Sequence, residues 1–391
     1  MEITNKQEQG LKEAIRKYKE GATHVCISGY AGSGKSTLVK YIIAALNLDP
    51  EEDVAYVAYT GKAAEVLRHK GCPNATTAHR LLYKARPLPN GKFKFTPREK
   101  LEKDFKVIVV DEISMLPKDL LALLAKHKIF IIACGDPFQL PPINKDTDNH
   151  VLDKPDIFLD EIMRQAKESE IIRLTMAIRD YQEIPYYQGK EVQVLNKNEI
   201  VSGMYTWADQ IITGTNNMRN NVNNLLRQLE NRGPEPEVGD KIICLRNNWD
   251  ILDTSDENAL VNGTIGYITE RKIQTIPYPL WEKPFVPILY MNFISEANEK
   301  FEQIWADYTA VTTGEKYLTP QEEYRLFKND DAPPAPIEFN YGYAITCHRA
   351  QGSQWKKVMV IEERFPFGKE EHARWLYTAC TRPEQKLILI K

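Results

Sequence analysis

Three short stretches of this chain carry residues able to handle a nucleoside triphosphate. The first, Gly29-Tyr30-Ala31-Gly32-Ser33-Gly34-Lys35-Ser36, fits the pattern G-x-x-x-x-G-K-[ST] in full. Its glycines let backbone N–H groups close around phosphate oxygens, Lys35 can reach the β and γ phosphates, and the Ser36 hydroxyl can ligate Mg²⁺. The second is the apolar run Val107–Val110, which ends in Asp111-Glu112. Such a strand end can place Asp111 on the metal and Glu112 on an attacking water, the minimum for triphosphate hydrolysis. Small-molecule kinases share the glycine loop but do not need the second carboxylate, so the pair favours hydrolysis. The third stretch is Gly135-Asp136-Pro137-Phe138-Gln139-Leu140-Pro141-Pro142. Gln139, at the tip of a strand, can hydrogen-bond a γ phosphate and report its loss, and the prolines behind it stiffen the exit. On local grounds the same segment also reads as a plain turn. Arg164, Arg179 and Arg382 each follow an apolar run. A guanidinium delivered to a transferring phosphoryl group accelerates transfer by roughly 10³ to 10⁵, although each arginine taken singly reads as a surface cation.

These residues need a rigid frame, and the hydrophobic pattern supplies one. Residues 7–19 and 35–46 carry apolar side chains at helical spacing, and apolar strand candidates occur at 25–28, Val54–Ala58, Val107–Val110 and 129–134. Strands alternating with helices predict a parallel sheet covered on both faces. A second alternating series follows position 180, with Gln210–Thr213, the helical Asn216–Leu229, Lys241–Cys244, 358–361, 370–379 and 386–390. It predicts a second α/β layer. Two segments interrupt the pattern. Residues 83–105 hold Asn90-Gly91 before the alternating Lys92-Phe93-Lys94-Phe95, which predicts a hairpin that Pro87 and Pro89 confine to an edge. Residues 266–337, rich in proline and aromatics, predict a small inserted β module.

Read in order, the motifs resemble those of superfamily 1B DNA helicases of the RecD and Dda group, along nearly the whole chain. Gln7 falls at that family's adenine-reading glutamine, and Ala58-Tyr59-Thr60-Gly61-Lys62-Ala63-Ala64 and Thr76-Thr77-Ala78-His79 resemble its strand-contacting segments. Met163-Arg164-Gln165, Gly214-Thr215-Asn216, the run from Tyr343 to Ser353 and the run from Leu376 to Arg382 resemble its later motifs. The chain departs from the family pattern at Tyr30, at Arg349-Ala350 and at Pro383, and none of these removes a reacting group.

The resemblance implies an α/β fold of two tandem RecA-like P-loop NTPase domains with parallel sheets, over 1–183 and 184–391. A small hairpin insert at 83–105 would be a strand-separating pin, and the insert at 266–337 an SH3-like β module. It implies ATP and Mg²⁺ as cofactors, with Lys35, Glu112, Gln139, Arg164 and Arg382 in catalysis and Ser36 and Asp111 on the metal. Gln7, Gly29, Ala31, Gly32, Ser33, Gly34, Lys35, Ser36, Thr37 and Gly352 would bind nucleotide, and Thr60, Lys62, His79, Thr346 and His348 would contact DNA. Single-stranded DNA and forked or tailed duplex are the implied partners, with replication or recombination proteins beside them, and the implied movement is 5′ to 3′. His79 and His348 also read as structural histidines, and the lysine-rich stretch 92–106 as a solvated face. Two other functions stay open at this point: the RecD-like motor subunit of a recombination nuclease, and an NTPase switch that does not respond to nucleic acid.

Bulk properties narrow the classes further. The 391 residues carry 51 basic and 54 acidic side chains, a net charge of −3, so nucleic-acid binding requires a local groove rather than a basic surface. The six cysteines form no C-x-x-C pair, which suits reduced thiols in an intracellular protein. No apolar run approaches the roughly 18 to 20 residues that cross a bilayer, so a soluble, cytoplasmic protein without membrane partners is expected.

Overall fold

The computed structural model describes residues 3–87, 93–141, 149–163, 168–255, 259–280, 283–327, 335–364 and 368–391. Arg164, Pro142 and the Asn90-Gly91 turn lie outside the described residues. The chain forms two compact units. One comprises Met1–Tyr83, Pro97–Gly214 and Thr346–Lys391, and the other Lys84–Thr96 and Thr215–Ile345.

The first unit is built on parallel strands. In one sheet the spatial order is Thr76–Thr77, Val54–Ala58, Val107–Val110, Phe130–Gly135, His24–Gly29 and Ile157–Leu159, all parallel. Because strand side chains alternate between faces, Val107 and Val109 enter a core with Val25, Ile27, Leu38 and Ile42. Ile108 and Val110 enter another with Val57, Leu120, Leu124 and Ile131. Burial on both faces explains why these strands read as unbroken apolar runs. In the second sheet, Gln210–Thr213, Trp355–Ile361, Pro383–Ile390 and Val192–Leu195 lie side by side in parallel, and Tyr187–Gln188 pairs antiparallel at the edge. The α/β expectation with parallel sheets therefore holds.

Helices are set by local chemistry. Helix Asn5–Lys19 opens with a capping box between Thr4 and Gln7 and closes on basic residues, which complements its dipole. Helix Gly61–His69 is capped by Thr60, whose Oγ1 accepts from Ala63 N at 3.2 Å.

The second unit carries an antiparallel sheet in the order Lys300–Asp307, Lys283–Ser295, Ile265–Leu280, Lys241–Cys244 and Phe339–Tyr341. Its core gathers Ile242, Leu289, Met291, Phe293, Phe301 and Phe339. The strand Lys241–Cys244 thus corrects the expectation from sequence, which put it in the parallel α/β series. A four-residue apolar run reports burial but not the direction of its neighbours. Helix Asn216–Leu229 is fixed by Asn223, which donates to Tyr341 O and Ala344 O and accepts from Ala344 N. Strands Tyr83–Pro87 and Phe93–Pro97 pair as a two-stranded sheet. All six cysteines are free and buried.

Candidate active site

Strand His24–Gly29 feeds the glycine loop, and helix Lys35–Ala45 leaves it. The helix has no acidic residue in its first turn, so its N-terminal N–H groups stay available to an anion. Gly34 has φ +83°, and a Cβ there would meet Gln7 Nε2 at 2.4 Å, so the position requires glycine twice over. Lys35 Nζ donates to Gly29 O at 2.6 Å and Tyr30 O at 3.0 Å, lying back across its own loop. Ser33 Oγ is buried without a hydrogen-bond partner, an orphan of the kind a phosphate oxygen would satisfy. Ser36 is exposed and Thr37 half-buried in the first helical turn, while Ala31 and Gly32 form the half-buried bend of the loop. Gln7 is buried, its Oε1 accepting from Thr4 N at 3.1 Å and its Nε2 donating to Gly34 O at 3.4 Å. In this arrangement it joins the first helix to the loop.

Two strands away, the Val107–Val110 strand ends in Asp111 and Glu112. Glu112 is left-handed at φ 51°, ψ 49°, a conformation uncommon outside glycine and worth noting beside a reactive centre. Its backbone N–H donates to Asp111 Oδ1 at 3.0 Å. Around its carboxylate, Gln139 Nε2 lies 3.5 Å and Arg382 Nη1 3.8 Å from Oε1. Arg382 is 3 % exposed, and its guanidinium is held by Thr378 O at 3.0 Å, Thr381 Oγ1 at 2.9 Å and Ser353 O at 3.5 Å. Asp111, Glu112 and Arg382 share a cavity of about 50 Å³ with Ala63, Lys70 and Gly352. Burial, with the neighbouring Glu112 second, pushes the Asp111 carboxyl above its ordinary range, against the pull of Lys70 and Lys35.

Two adjoining carboxylates, Asp111 and Glu112, bring negative charge to the strand end, which a hard cation would relieve. No group of three or more His, Cys, Asp or Glu able to hold a metal by itself occurs among the described residues. The Asp111 carboxylate and the Ser36 hydroxyl are hard oxygen donors of the kind Mg²⁺ takes beside a nucleotide, where one or two protein oxygens are joined by phosphate and water.

Gly352 has φ +74°, and a Cβ there would meet Ala63 Cβ at 3.0 Å and Thr60 Oγ1 at 3.6 Å. The turn after helix Cys347–Ala350 is thereby seated on the start of helix Gly61–His69, bringing Gly352 and Thr60 together. Lys62 pairs with Glu65 at 3.2 Å. His79 is half-buried, stacked on Tyr83 with ring centroids 6.0 Å apart and tilted against Tyr59 at 6.1 Å. Thr346 is buried and His348 half-buried, and neither histidine lines the cavity. Burial holds both imidazoles below their ordinary pKa. Arg179, singled out with the other arginines, stacks over the Tyr30 ring at 4.2 Å instead of facing the cavity.

Sequence reasoning passed over Lys70, which no motif marks. It also gave no role to Tyr377, Thr378 or Gln351, whose side chains grip the segment after strand Phe130–Gly135. Their positions within the quoted runs were visible, but the contacts exist only once the two sheets are packed together.

Comparison with known proteins identifies the family. Residues 3–204 match the family model described as AAA domain, and residues 341–390 match the UvrD-like helicase C-terminal domain. The ATP-dependent RecD2 DNA helicase of Deinococcus radiodurans is 27% identical over 421 residues, covering 99% of this chain and 50% of that protein. The ATP-dependent DNA helicase dda of Enterobacteria phage T4 is 31% identical over 148 residues, covering 36% of this chain and 33% of that protein. This chain thus spans half or less of the length of these relatives. Among solved structures, the Pif1 helicase from Bacteroides in complex with ADP-AlF3 and ssDNA superposes with TM-score 0.53 at 17% identity, covering 100% of this chain and 92% of that one. At that identity the likeness speaks for the fold.

Proposed function

Because the chain belongs to the AAA domain family, in its superfamily 1B Pif1/RecD-like helicase group, we propose that it is an ATP-dependent DNA helicase that translocates on single-stranded DNA and unwinds forked or tailed duplex. The observation that carries this reading is that the Asp111-Glu112 strand end and the buried Arg382 line one cavity, while the glycine loop is tied to the helix leading to Arg382 by Ala31 N, which donates to the Tyr377 hydroxyl.

In this mechanism the loop N–H groups and Lys35 hold the β and γ phosphates. Glu112 orients the attacking water and accepts its proton, and Gln139 fixes the Glu112 carboxylate and senses the γ phosphate. Arg382 neutralises charge on the equatorial oxygens as it develops, with Arg164 in the same role. Mg²⁺ held by Ser36 and Asp111 would supply charge neutralisation at the phosphates. Gln7, close against Gly34, would report on the base through the first helix.

Thr60, Lys62, His79, Thr346 and His348 are assigned to the DNA strand, Thr60 and Lys62 at the start of helix Gly61–His69, His79 on helix Ala78–Leu82, and Thr346 and His348 at helix Cys347–Ala350. Translocation requires that their grip change with nucleotide state, since a uniform grip gives no motion. Opening a base pair costs roughly 1.4 kcal/mol of stacking, which one hydrolysis-coupled step can supply. Direction is assigned 5′ to 3′, with residues 83–105 as pin, 266–337 as the SH3-like module, and the 1–183 and 184–391 halves as the two motor domains.

The test is ATP hydrolysis with and without single-stranded DNA, followed by unwinding of duplexes bearing only a 5′ or only a 3′ tail. Stimulation by DNA and unwinding from the 5′ tail are expected. An unchanged hydrolysis rate defeats the motor reading, and unwinding from the 3′ tail alone reverses the direction.

A further inference from the structure

Asp136 sits at the end of strand Phe130–Gly135, 2 % exposed, and no step above uses it. Its Oδ1 accepts from Phe138 N at 3.0 Å, and its Oδ2 accepts from the Tyr377 hydroxyl at 2.6 Å. Tyr377 is 1 % exposed and lies on helix Lys369–Cys380, just ahead of Arg382. The same hydroxyl oxygen accepts from Ala31 N, in the glycine loop, at 2.9 Å. The polarity is fixed by chemistry: the amide can only donate, so the hydroxyl proton goes to the carboxylate. One oxygen atom thereby ties three elements: the loop that cradles phosphate, the segment that bears Gln139, and the helix that leads to Arg382.

The tie is reinforced along the segment. Leu140 N donates to Thr378 Oγ1 at 2.9 Å, Gln351 Nε2 donates to Leu140 O at 2.7 Å, and Arg374 Nη1 donates to Pro137 O at 3.1 Å. Phe138 packs edge-on against the Tyr377 ring, with centroids 5.2 Å apart. Both carboxylate oxygens of Asp136 are therefore spoken for, and the partner of one is a single hydroxyl whose loss leaves a buried carboxylate oxygen and a loop amide unmatched.

We propose that Tyr377 is a positioning residue for ATP hydrolysis, holding the Arg382 helix in register with the phosphate loop through Asp136 and Ala31. It touches no reacting atom. Its hydroxyl sets where Arg382 sits relative to Glu112 and passes movement of the loop to the helix. The inference rests on the hydrolytic reading of the site given above.

The experiment uses the full chain as wild type, Tyr377→Phe, Asp136→Asn and the double variant. Tyr377→Phe keeps the ring against Phe138 and removes only the hydroxyl. Steady-state ATP hydrolysis is measured with and without saturating single-stranded DNA, beside binding of a fluorescent ATP analogue to count competent sites. Each single variant is expected to lower kcat by about 10- to 100-fold, the scale of a misplaced catalytic group. KM and analogue affinity are expected to stay within about threefold, and the double variant is expected to be no slower than the slower single one. A kcat for Tyr377→Phe within twofold of wild type overturns the proposal, as do losses that multiply in the double variant. So does a loss confined to the number of competent sites, which marks a merely structural role. Should wild-type hydrolysis ignore DNA, the helicase reading falls while the same four-way comparison on basal hydrolysis still decides the place of Tyr377.

Discussion

Arg382 Nη1 lies 3.8 Å from Glu112 Oε1, and the arginine is held there by acceptors other than Glu112. Thr378 O and Thr381 Oγ1 fix the guanidinium from its own helix end, so its position is set by the fold. The distance is that of a loose ion pair, open to competition from a phosphoryl oxygen. A charge that is anchored before the substrate arrives needs no reorganisation at the moment of reaction.

Removing that anchored charge sets the first prediction. Arg382→Ala is expected to lower kcat for ATP hydrolysis by about 10³-fold, the lower end of what such an arginine supplies. Glu112→Gln is expected to lower it by a similar factor while a fluorescent nucleotide binds within about threefold of wild type, because the loop and Lys35 are untouched. Steady-state hydrolysis and nucleotide titration check both. Turnover in Arg382→Ala above a tenth of wild type removes that side chain from the mechanism.

A second prediction concerns acid. Burial holds His79, His127 and His348 below their ordinary pKa in the folded chain. The unfolded chain, with imidazoles near pKa ~6.5, therefore takes up protons first as pH falls. The stability these groups contribute is complete above that pH and is lost as pH drops through their folded values. Comparing Tm between pH 8 and pH 5 for wild type and His79→Gln/His348→Gln isolates the effect, since the carboxylates are common to both. The variant is expected to show the shallower fall; parallel curves would exclude these imidazoles as its source.

The third prediction lies in the second unit, where Asp240 is fully buried. It accepts from Arg227 Nε at 3.0 Å and Nη2 at 3.1 Å, from Glu237 N at 2.6 Å and from the Tyr343 hydroxyl at 2.8 Å. Asp240→Ala strands the buried guanidinium of Arg227 and is expected to cost about 3–5 kcal/mol. Tyr343→Phe removes one neutral donor and is expected to cost about 1–2 kcal/mol. Urea unfolding gives both numbers, and equal losses would contradict the assignment of Asp240 as the centre of the network.

The glycine loop and the Val107–Val110 strand were legible in the sequence because each is a local pattern with one physical reading. Gly34 was legible as a glycine, but its need to clear Gln7 was not, since that contact joins distant parts of the chain. The strand Lys241–Cys244 shows the limit from the other side: its apolar run announced burial correctly and was silent about its antiparallel neighbours. Arg382 stood out only through the resemblance of its surroundings, and the thread from Ala31 through Tyr377 to Asp136 not at all. A tyrosine on a helix reads as core until its hydroxyl is seen to face a carboxylate from another sheet.

Strand order in the second parallel sheet carries a consequence for how the protein is made. Trp355–Ile361 and Pro383–Ile390 lie between Gln210–Thr213 and Val192–Leu195. The earlier pair leaves the ribosome first and must wait, facing edges bare, for its middle to be translated. A long loop has to close before any of those pairings is rewarded, which slows the process and exposes it to aggregation. Elongation alone cannot bring Arg382 to Glu112, because that arginine directly precedes Pro383–Ile390, a middle strand that is translated after both of its flanking strands.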